Sequence, residues 1–145
     1  MNKQQKKPIS VVGAVILNDK GEILCAQRGE KSDLPMMWEF PGGKIKEGES
    51  AQEALVREIK EELACIVSVE QFITTTSFHY PTKHILLTTF YCTLLKGEKP
   101  ERLEHHNLLW CDSQDLLLLN WPPADLPTVR LIIESNEKIS QLIKL

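Results

Sequence analysis

Several features that would place a protein in a specialised class are missing from this sequence. No apolar run approaches the ~20 residues that a membrane-spanning helix needs. Residues 1–7 are polar and basic, without the apolar core of a secretory signal. The four cysteines are widely spaced with no C-x-x-C pair. This spacing disfavours a zinc site or a disulfide framework and is typical of free thiols in a reducing compartment. We therefore expect a cytoplasmic protein with no membrane partner.

The sequence also lacks an excess of basic residues. Its 17 lysines and arginines are outnumbered by 20 aspartates and glutamates, which gives a formal net charge of -3. A surface that binds nucleic acid stably is normally basic, so we expect no stable nucleic-acid partner. A small nucleotide substrate is not excluded, because a bound metal ion can supply positive charge locally.

The length of 145 residues fits one domain, 1–145, in which residues 1–8 are expected to form a flexible tail. β-branched and apolar runs predict strands at Val11–Leu17, Glu22–Gln27, Val67–Phe78, His84–Leu95 and Asn107–Cys111. Helices are predicted at Ala51–Leu63, at Ser113–Leu117 with Ser113 as the cap, and from Pro127 onward. This mixture predicts an α+β or α/β domain.

The most informative segment, 43–62, reads G-x5-E-x7-R-E-I-x-E-E. Residues three and four apart share a helix face, so Glu58, Glu61 and Glu62 form a carboxylate cluster. Three neighbouring carboxylates repel one another unless a cation holds them, and hard oxygen ligands suit Mg2+ or Mn2+. The alternative is a solvated acidic helix face, but that does not account for Glu49 at its fixed distance.

The segment resembles the Nudix box, the signature of hydrolases that act on a nucleoside diphosphate linked to another group. The full box is G-x5-E-x7-R-E-U-x-E-E-x-G-U, where U is a bulky aliphatic residue, and every charged position matches. Two positions differ, since Ala64 replaces the second glycine and Cys65 the last aliphatic residue. That glycine would take a positive φ at the helix end, where Ala64 would cost about 1 kcal/mol. The resemblance implies an α/β/α sandwich with a mixed β-sheet between helices.

The resemblance also implies roles for the box residues. Glu58, Glu61 and Glu62 would hold Mg2+ (or Mn2+) and carry the catalysis, with the carbonyl oxygen of Gly42 as a further ligand. Arg57 would orient a glutamate through a charge-assisted hydrogen bond. Glu49 is expected to join the loop to the helix, which is a structural role.

A further acid outside the box often joins the metal ions in related enzymes. Glu104 is the candidate for this catalytic and metal-binding role, and a solvated loop acid is the alternative. His105 and His106 are interpreted as exposed loop histidines, because the acid cluster already satisfies a hard cation.

The resemblance extends over nearly the whole chain to the MutT-type branch, and it suggests substrate contacts. Arg28 is able to bind phosphates bidentately, although a surface role is the alternative. Asp125 takes the position where an asparagine reads the purine in 8-oxo-dGTP hydrolases and an aspartate stands in cytidine-nucleotide enzymes. Ionised, it accepts hydrogen bonds from either base, and a helix N-cap is the alternative. Phe78 and Trp121 could stack on a base or belong to the core.

We predict a Mg2+-dependent enzyme that converts a nucleoside triphosphate, its small-molecule partner, to the monophosphate and diphosphate. The two expected substrates are 8-oxo-dGTP, which would mean nucleotide-pool sanitation, and a cytidine nucleotide. The alternatives are hydrolysis of another nucleoside diphosphate derivative and a non-catalytic nucleotide-binding regulator, although a regulator would be expected to lose box acids. The oligomeric state is not indicated by the sequence.

Overall fold

The structure is a computed structural model that describes the backbone of residues 7–144 and the side chains of residues 7–136. Most of the predicted tail therefore lies outside the described residues. The strands are β1 (Ile9–Leu17), β2 (Ile23–Gln27), β3 (Trp38–Glu39), β4 (Gly42–Lys44), β5 (Val67–Tyr80), β6 (Lys83–Leu94) and β7 (Asn107–Cys111). The α-helices are α1 (Ala51–Leu63) and α2 (Leu126–Lys144), and Ser113–Leu118 forms a 3-10 helix.

The strands form one mixed sheet, as the resemblance implied. The order is β3-β2-β1-β6-β5, with β4 also paired to β1 and β7 to β2. β1 and β6 run parallel over their whole paired length, and the other pairs are antiparallel. β1 is central, because it is the middle strand of this order and also pairs with β4.

Side chains alternate along a strand, so the apolar residues of β1 point to both faces of the sheet. Helices cover both of these faces. On one face, Val12, Ala14 and Ile16 of β1 pack in a core cluster with α1. On the other face, Val15 packs in a second cluster with the 3-10 helix and α2. The helical members of these clusters are Ala54, Leu55, Ile59 and Leu63 in the first, and Leu116, Val129 and Ile132 in the second. The predicted α/β/α sandwich is confirmed.

Two short strands, β3 and β4, were not predicted, because segments of two or three residues carry no alternating pattern. β4 depends on a distant partner, since Gly42 pairs with Gly13 and its neighbours with the adjacent residues of β1. A Cβ atom on Gly42 would lie 1.9 Å from the carbonyl oxygen of Val12. Only glycine therefore lets this loop approach the central strand.

α1 has the bounds that the sequence predicted. Its capping box is complete: the Ser50 hydroxyl accepts from the Glu53 N–H at 3.0 Å, and the Glu53 carboxylate accepts from the Ser50 N–H at 2.9 Å. The helix ends at Ala64, which has φ 50° and ψ 39°. Ala64 thus adopts the left-handed conformation that the family's glycine would adopt.

The prediction that Ser113 caps the short helix was wrong. Asp112 is the N-cap residue of this 3-10 helix, and its side chain makes no capping hydrogen bond. The segment is held by tertiary contacts instead, because Leu116 is fully buried and its carbonyl oxygen accepts from the Trp121 indole N–H at 2.7 Å.

Candidate active site

Two acids of α1 lie against the glycine loop. A Cβ atom on Gly43 would come within 2.4 Å of the Glu58 carboxylate, so this glycine leaves the space that the acid occupies. One turn later, the Glu62 carboxylate accepts a hydrogen bond from the Gly42 N–H at 3.1 Å. The loop and the helix therefore bring Glu58 and Glu62 to the same place.

Arg57 connects the acids of this region. Its guanidinium donates to both carboxylate oxygens of Glu49, at 2.6 and 2.9 Å, and to the carbonyl oxygen of Lys44 at 3.0 Å. The same side chain donates to Glu58 at 2.9 Å and to Glu61 at 3.1 Å. The bond with Arg57 lowers the pKa of Glu49 to about 2. Glu49 thus joins the loop to the helix, which is the structural role predicted for it.

Glu62 is an acid whose charge is costly. Burial raises its pKa to about 7, and the neighbouring carboxylates of Glu39 and Glu58 contribute to the increase. His105 and the Gly42 N–H act in the opposite direction. A cation placed beside this carboxylate would offset the cost of its burial and of its negative neighbours.

The donor set fits a hard divalent cation. Carboxylate oxygens and a backbone carbonyl are the ligands that Mg2+ prefers, and Glu58 and Glu62 meet at the glycine loop. Within the described residues, however, no three His, Cys, Asp or Glu side chains are arranged to hold a metal ion. Glu58 and Glu61 contact Arg57 instead, and its positive charge offsets their repulsion.

A cleft of about 340 Å³ opens beside Glu62. Its charged and aromatic lining residues are Arg28, Glu39, Phe40, Lys44, Glu62, Tyr80, Lys83 and Asp125. It is therefore lined by three cationic side chains, three acids and two aromatic rings. Such a mixture suits a ligand that has both an anionic part and a polar ring.

Arg28 follows β2 and lines this cleft. Its Nη1 donates to Glu39 at 2.7 Å, its Nη2 to Asp33 at 2.5 Å and its Nε to Ser32 at 3.3 Å. Burial disfavours the charged guanidinium, but the carboxylates of Glu39 and Asp33 raise the pKa of Arg28 overall. Asp33 lies on the loop between β2 and β3. It also accepts a hydrogen bond from Lys83 of β6 at 2.6 Å, which holds this loop to β6.

Asp125 precedes α2 and is only 8% exposed. Burial raises its pKa to about 8, and the nearby carboxylate of Glu39 adds to this effect. A hydrogen bond from the Phe40 N–H and the charge of Arg28 lower it only in part. The fold therefore favours the protonated carboxyl group, whereas the sequence analysis considered the ionised form.

Of the box residues on α1, Glu62 lines the cleft, whereas Arg57, Glu58 and Glu61 do not. Three candidates from outside the box are not lining residues of the cleft either. Glu104 is exposed on the loop before β7 and is not a lining residue. Phe78 packs against the Tyr80 ring at 4.8 Å, and Tyr80 is the one of the two that lines the cleft. Trp121 is buried and stacks on Phe40 at 4.7 Å, so its core interpretation is confirmed.

The interpretation of His105 as an exposed loop histidine was wrong. Its side chain is 7% exposed, and its Nε2 lies 3.0 Å from a carboxylate oxygen of Glu39. Burial favours the neutral ring, but the bond with Glu39 raises the pKa of His105 overall. The sequence analysis missed Glu39 altogether. The one available signal was an acid placed directly before the glycine loop, in Trp38-Glu39-Phe40-Pro41.

A larger depression of about 980 Å³ lies elsewhere on the surface. Its lining includes Lys20, Glu70, Tyr91, Asp112 and Asn136, and none of the site residues predicted from the sequence. Of these two, the smaller cleft is the better candidate, because it adjoins Glu62 and the glycine loop.

Comparison with known proteins places these residues in a family. A family model described as the NUDIX domain matches residues 7–132, which include the glycine loop, α1 and the whole lining of the cleft. The chain belongs to the NUDIX family. Glu58, Glu61 and Glu62 of α1 all lie inside the matched segment.

Similar Nudix proteins include the CTP pyrophosphohydrolase of Escherichia coli (strain K12), which is 37% identical over 121 residues, 83% of this chain and 88% of the relative. The 8-oxo-dGTP diphosphatase of Haemophilus influenzae is 33% identical over 135 residues, 92% and 98% of the two chains. The solution NMR structure of MutT from methicillin-resistant Staphylococcus aureus 252 is 47% identical, with a TM-score of 0.74 and coverage of 90% and 99%. The chain is a Nudix pyrophosphohydrolase of the MutT type.

Proposed function

We propose that this Nudix enzyme hydrolyses a nucleoside triphosphate to the nucleoside monophosphate and diphosphate, with Mg2+ or Mn2+ as cofactor. The observation that carries the proposal is the cleft, which adjoins Glu62 and also contains Tyr80 and the buried carboxyl group of Asp125. Glu62 suits a cation that binds the phosphates, whereas Tyr80 and Asp125 suit a nucleobase. The names of the E. coli and H. influenzae relatives support this substrate class.

Glu58, Glu61, Glu62 and the carbonyl oxygen of Gly42 would hold the cation, with Glu104 as a further ligand. When bound, the cation neutralises phosphate oxygens and activates a water molecule. Glu104 would have to reach the site from the exposed loop before β7.

Arg57 acts on the acids of the site and not on the substrate. It binds Glu49 and the Lys44 carbonyl oxygen with the same guanidinium that contacts Glu58 and Glu61. Charge-assisted hydrogen bonds of this kind fix the orientation of both partners. We propose that Arg57 keeps the glutamates of α1 at the glycine loop.

Arg28 would bind the phosphates, because its guanidinium lines the cleft and matches phosphate oxygens bidentately. Lys83 and Lys44 add positive charge to the same cleft. The phosphates therefore meet cationic groups from three separate elements.

Asp125 would read the base. A protonated carboxyl group donates one hydrogen bond and accepts others. It matches the adjacent acceptor and donor of cytosine, N3 and the exocyclic amine, and also the O6 acceptor and N1–H donor of 8-oxoguanine. Both 8-oxo-dGTP and cytidine nucleotides therefore remain candidates. Tyr80 supplies one aromatic ring of the cleft, with Phe78 packed against it in a supporting position.

We also propose a cytoplasmic enzyme whose partner is this small molecule, without a stable nucleic-acid partner. The support is that Cys25, Cys65, Cys92 and Cys111 are buried free thiols, as expected in a reducing compartment. Among the described residues, no helix is long and apolar enough to cross a membrane.

The test is a nucleotide panel with Mg2+, containing 8-oxo-dGTP, dGTP, CTP, dCTP and 5-methyl-dCTP, with diphosphate release as the readout. We expect turnover of at least one oxidised-guanine or cytidine nucleotide. Glu61→Gln should lower kcat about a hundredfold or more, since it removes a charged ligand of the cation. Glu47→Gln makes the same chemical change at an exposed residue before α1 and should leave turnover unchanged.

The preferred base is the one with the highest kcat/KM. Absence of turnover on every triphosphate would overturn the proposal and direct attention to other nucleoside diphosphate derivatives. Full activity of Glu61→Gln would instead remove this acid from the proposed metal site.

A further inference from the structure

The Arg28 guanidinium lies between an inner and an outer carboxylate. Glu39 contacts Nη1 and has 22% of its side chain exposed, whereas Asp33 contacts Nη2 and has 53% exposed. Exposed ion pairs contribute little, because water and salt screen them. The inner contact with Glu39 is therefore the one that can fix where Arg28 points.

Glu39 is itself held from its other side. One carboxylate oxygen accepts from Arg28, and the second lies 3.0 Å from His105 Nε2. Because Glu39 pairs with Ala26 in the sheet, its backbone is fixed as well. The carboxylate thus connects the end of β2 to the loop before β7.

The peptide group that follows His105 is anchored through both of its polar atoms. The His106 N–H donates to the carbonyl oxygen of Gln27 at 2.9 Å, and Arg102 donates to the carbonyl oxygen of His105 at 3.1 Å. His105 is only 7% exposed. A buried ring on an anchored backbone has little freedom to turn away from Glu39.

Among the described residues, the His105 ring forms its hydrogen bond with Glu39. An ionised carboxylate only accepts hydrogen bonds, so Nε2 carries the proton. The other ring nitrogen, Nδ1, is buried without a hydrogen-bond partner among the described residues. A buried nitrogen without a partner is costly. An apolar side chain could fill the same space without this cost.

We propose that Glu39 and His105 are positioning residues of the phosphate site, which hold the Arg28 guanidinium in the cleft. This inference rests on the proposed function, in which Arg28 binds the phosphates of a nucleoside triphosphate. His105 fixes Glu39, and Glu39 fixes Arg28. Neither residue needs to touch the reacting atoms.

The kinetic prediction concerns KM. Losing the His105 bond should let Arg28 leave its position. In its proposed role, Arg28 binds the phosphates equally in the ground state and in the transition state. Such uniform binding affects KM and not kcat. His105→Asn, whose short amide cannot reach Glu39, should raise KM for the preferred triphosphate about tenfold, the typical effect of one charge-assisted hydrogen bond. The kcat should stay within about threefold of the parent value.

Two further variants serve as controls. His105→Gln places an amide N–H near the position of Nε2 and should restore KM to within about threefold of the parent. Asp33→Asn removes the outer carboxylate from the same guanidinium and should not raise KM. In an Arg28→Ala background, His105→Asn should cause no further increase, because its effect passes through Arg28.

Several results would overturn the inference. KM of His105→Asn could lie within twofold of the parent while only the melting temperature falls, which would show a structural role. The increase in KM could persist undiminished in the Arg28→Ala background. Asp33→Asn could raise KM as much as His105→Asn.

A measurement without turnover separates this inference from the proposed function. In the nitrogen-15 NMR spectrum of the ligand-free chain, His105 should be protonated at Nε2, and His105→Asn should shift the Arg28 Nε–H resonance, whereas His105→Gln should not. If the parent hydrolyses no triphosphate, the proposed function fails and this spectrum alone decides whether His105 holds Arg28. A ring protonated only at Nδ1 would overturn the positioning role.

Discussion

At the scale of single residues, Asp125 shows how burial changes what a side chain can do. The same carboxyl group would only accept hydrogen bonds if it were exposed and ionised. In this fold its desolvation, with Glu39 nearby, raises the pKa to about 8. The residue can then both donate and accept at neutral pH, which bears directly on which base it recognises.

The raised pKa also predicts how stability depends on pH. The folded chain holds the Asp125 proton more tightly than the unfolded chain, whose carboxyl group has its ordinary pKa of about 3.9. The stabilising contribution is therefore present below pH 4 and is lost as pH rises through 8. A pKa that differs by one between the two states corresponds to about 1.4 kcal/mol, so a loss larger than this is expected.

The measurement compares the metal-free parent with Asp125→Asn by denaturant unfolding between pH 4 and pH 8. Glu62, which also has a raised pKa, is present in both chains and cancels in the difference. The free energy of unfolding of the parent should fall relative to the variant as pH rises. A difference that stays constant across this range would contradict the burial argument.

At the scale of elements, α1 combines a favourable beginning with an unfavourable end. The capping box of Ser50 and Glu53 satisfies N–H groups that the helix itself leaves unpaired. At the other end, Ala64 has φ 50°, a conformation in which its Cβ approaches the following carbonyl oxygen. The next residue, Cys65, is 1% exposed in the core, so it fills the apolar role of the last box position.

We predict that Ala64→Gly stabilises the chain by about 1 kcal/mol, because glycine adopts positive φ without the steric cost. Ala64 is exposed, so no packing is lost. Ala51→Gly, the same change in the first turn of α1, should instead destabilise by about 0.5–1 kcal/mol. Chemical denaturation of both variants tests this, and a destabilised Ala64→Gly would refute the strain at the helix end.

At the scale of the whole molecule, one buried polar contact joins the sheet to a helix layer. The hydroxyl oxygens of Thr89 on β6 and Thr128 on α2 lie 2.9 Å apart, and both side chains are fully buried. This hydrogen bond crosses the apolar cluster between the layers. Each hydroxyl therefore depends on a partner from another element.

Thr89→Val should destabilise the chain by about 1–3 kcal/mol, because it leaves the Thr128 hydroxyl buried without this partner. The double variant Thr89→Val/Thr128→Val removes both polar groups and should cost less than the sum of the single variants. Urea unfolding of the four chains gives the coupling directly. Strictly additive losses would mean that the two hydroxyls do not depend on each other.

Much of the fold could be predicted because its signals are local. The bounds of α1 follow from a capping box and an apolar stripe within 13 residues. β7 was predicted with correct bounds from a run of five residues. β3 and β4 were missed because they exist only through pairing with strands that lie well before them in the chain.

The sequence by itself determined the family, because the residues of the box lie within one loop and one helix. In a helix, the 3.6-residue period decides which side chains share a face. Only the tertiary structure decided the surroundings of His105, whose partner Glu39 is 66 positions earlier. The same holds for Asp125, since its raised pKa comes from burial beneath segments distant in sequence. Burial and charge pairing depend on distance in space, and only the folded chain sets that distance.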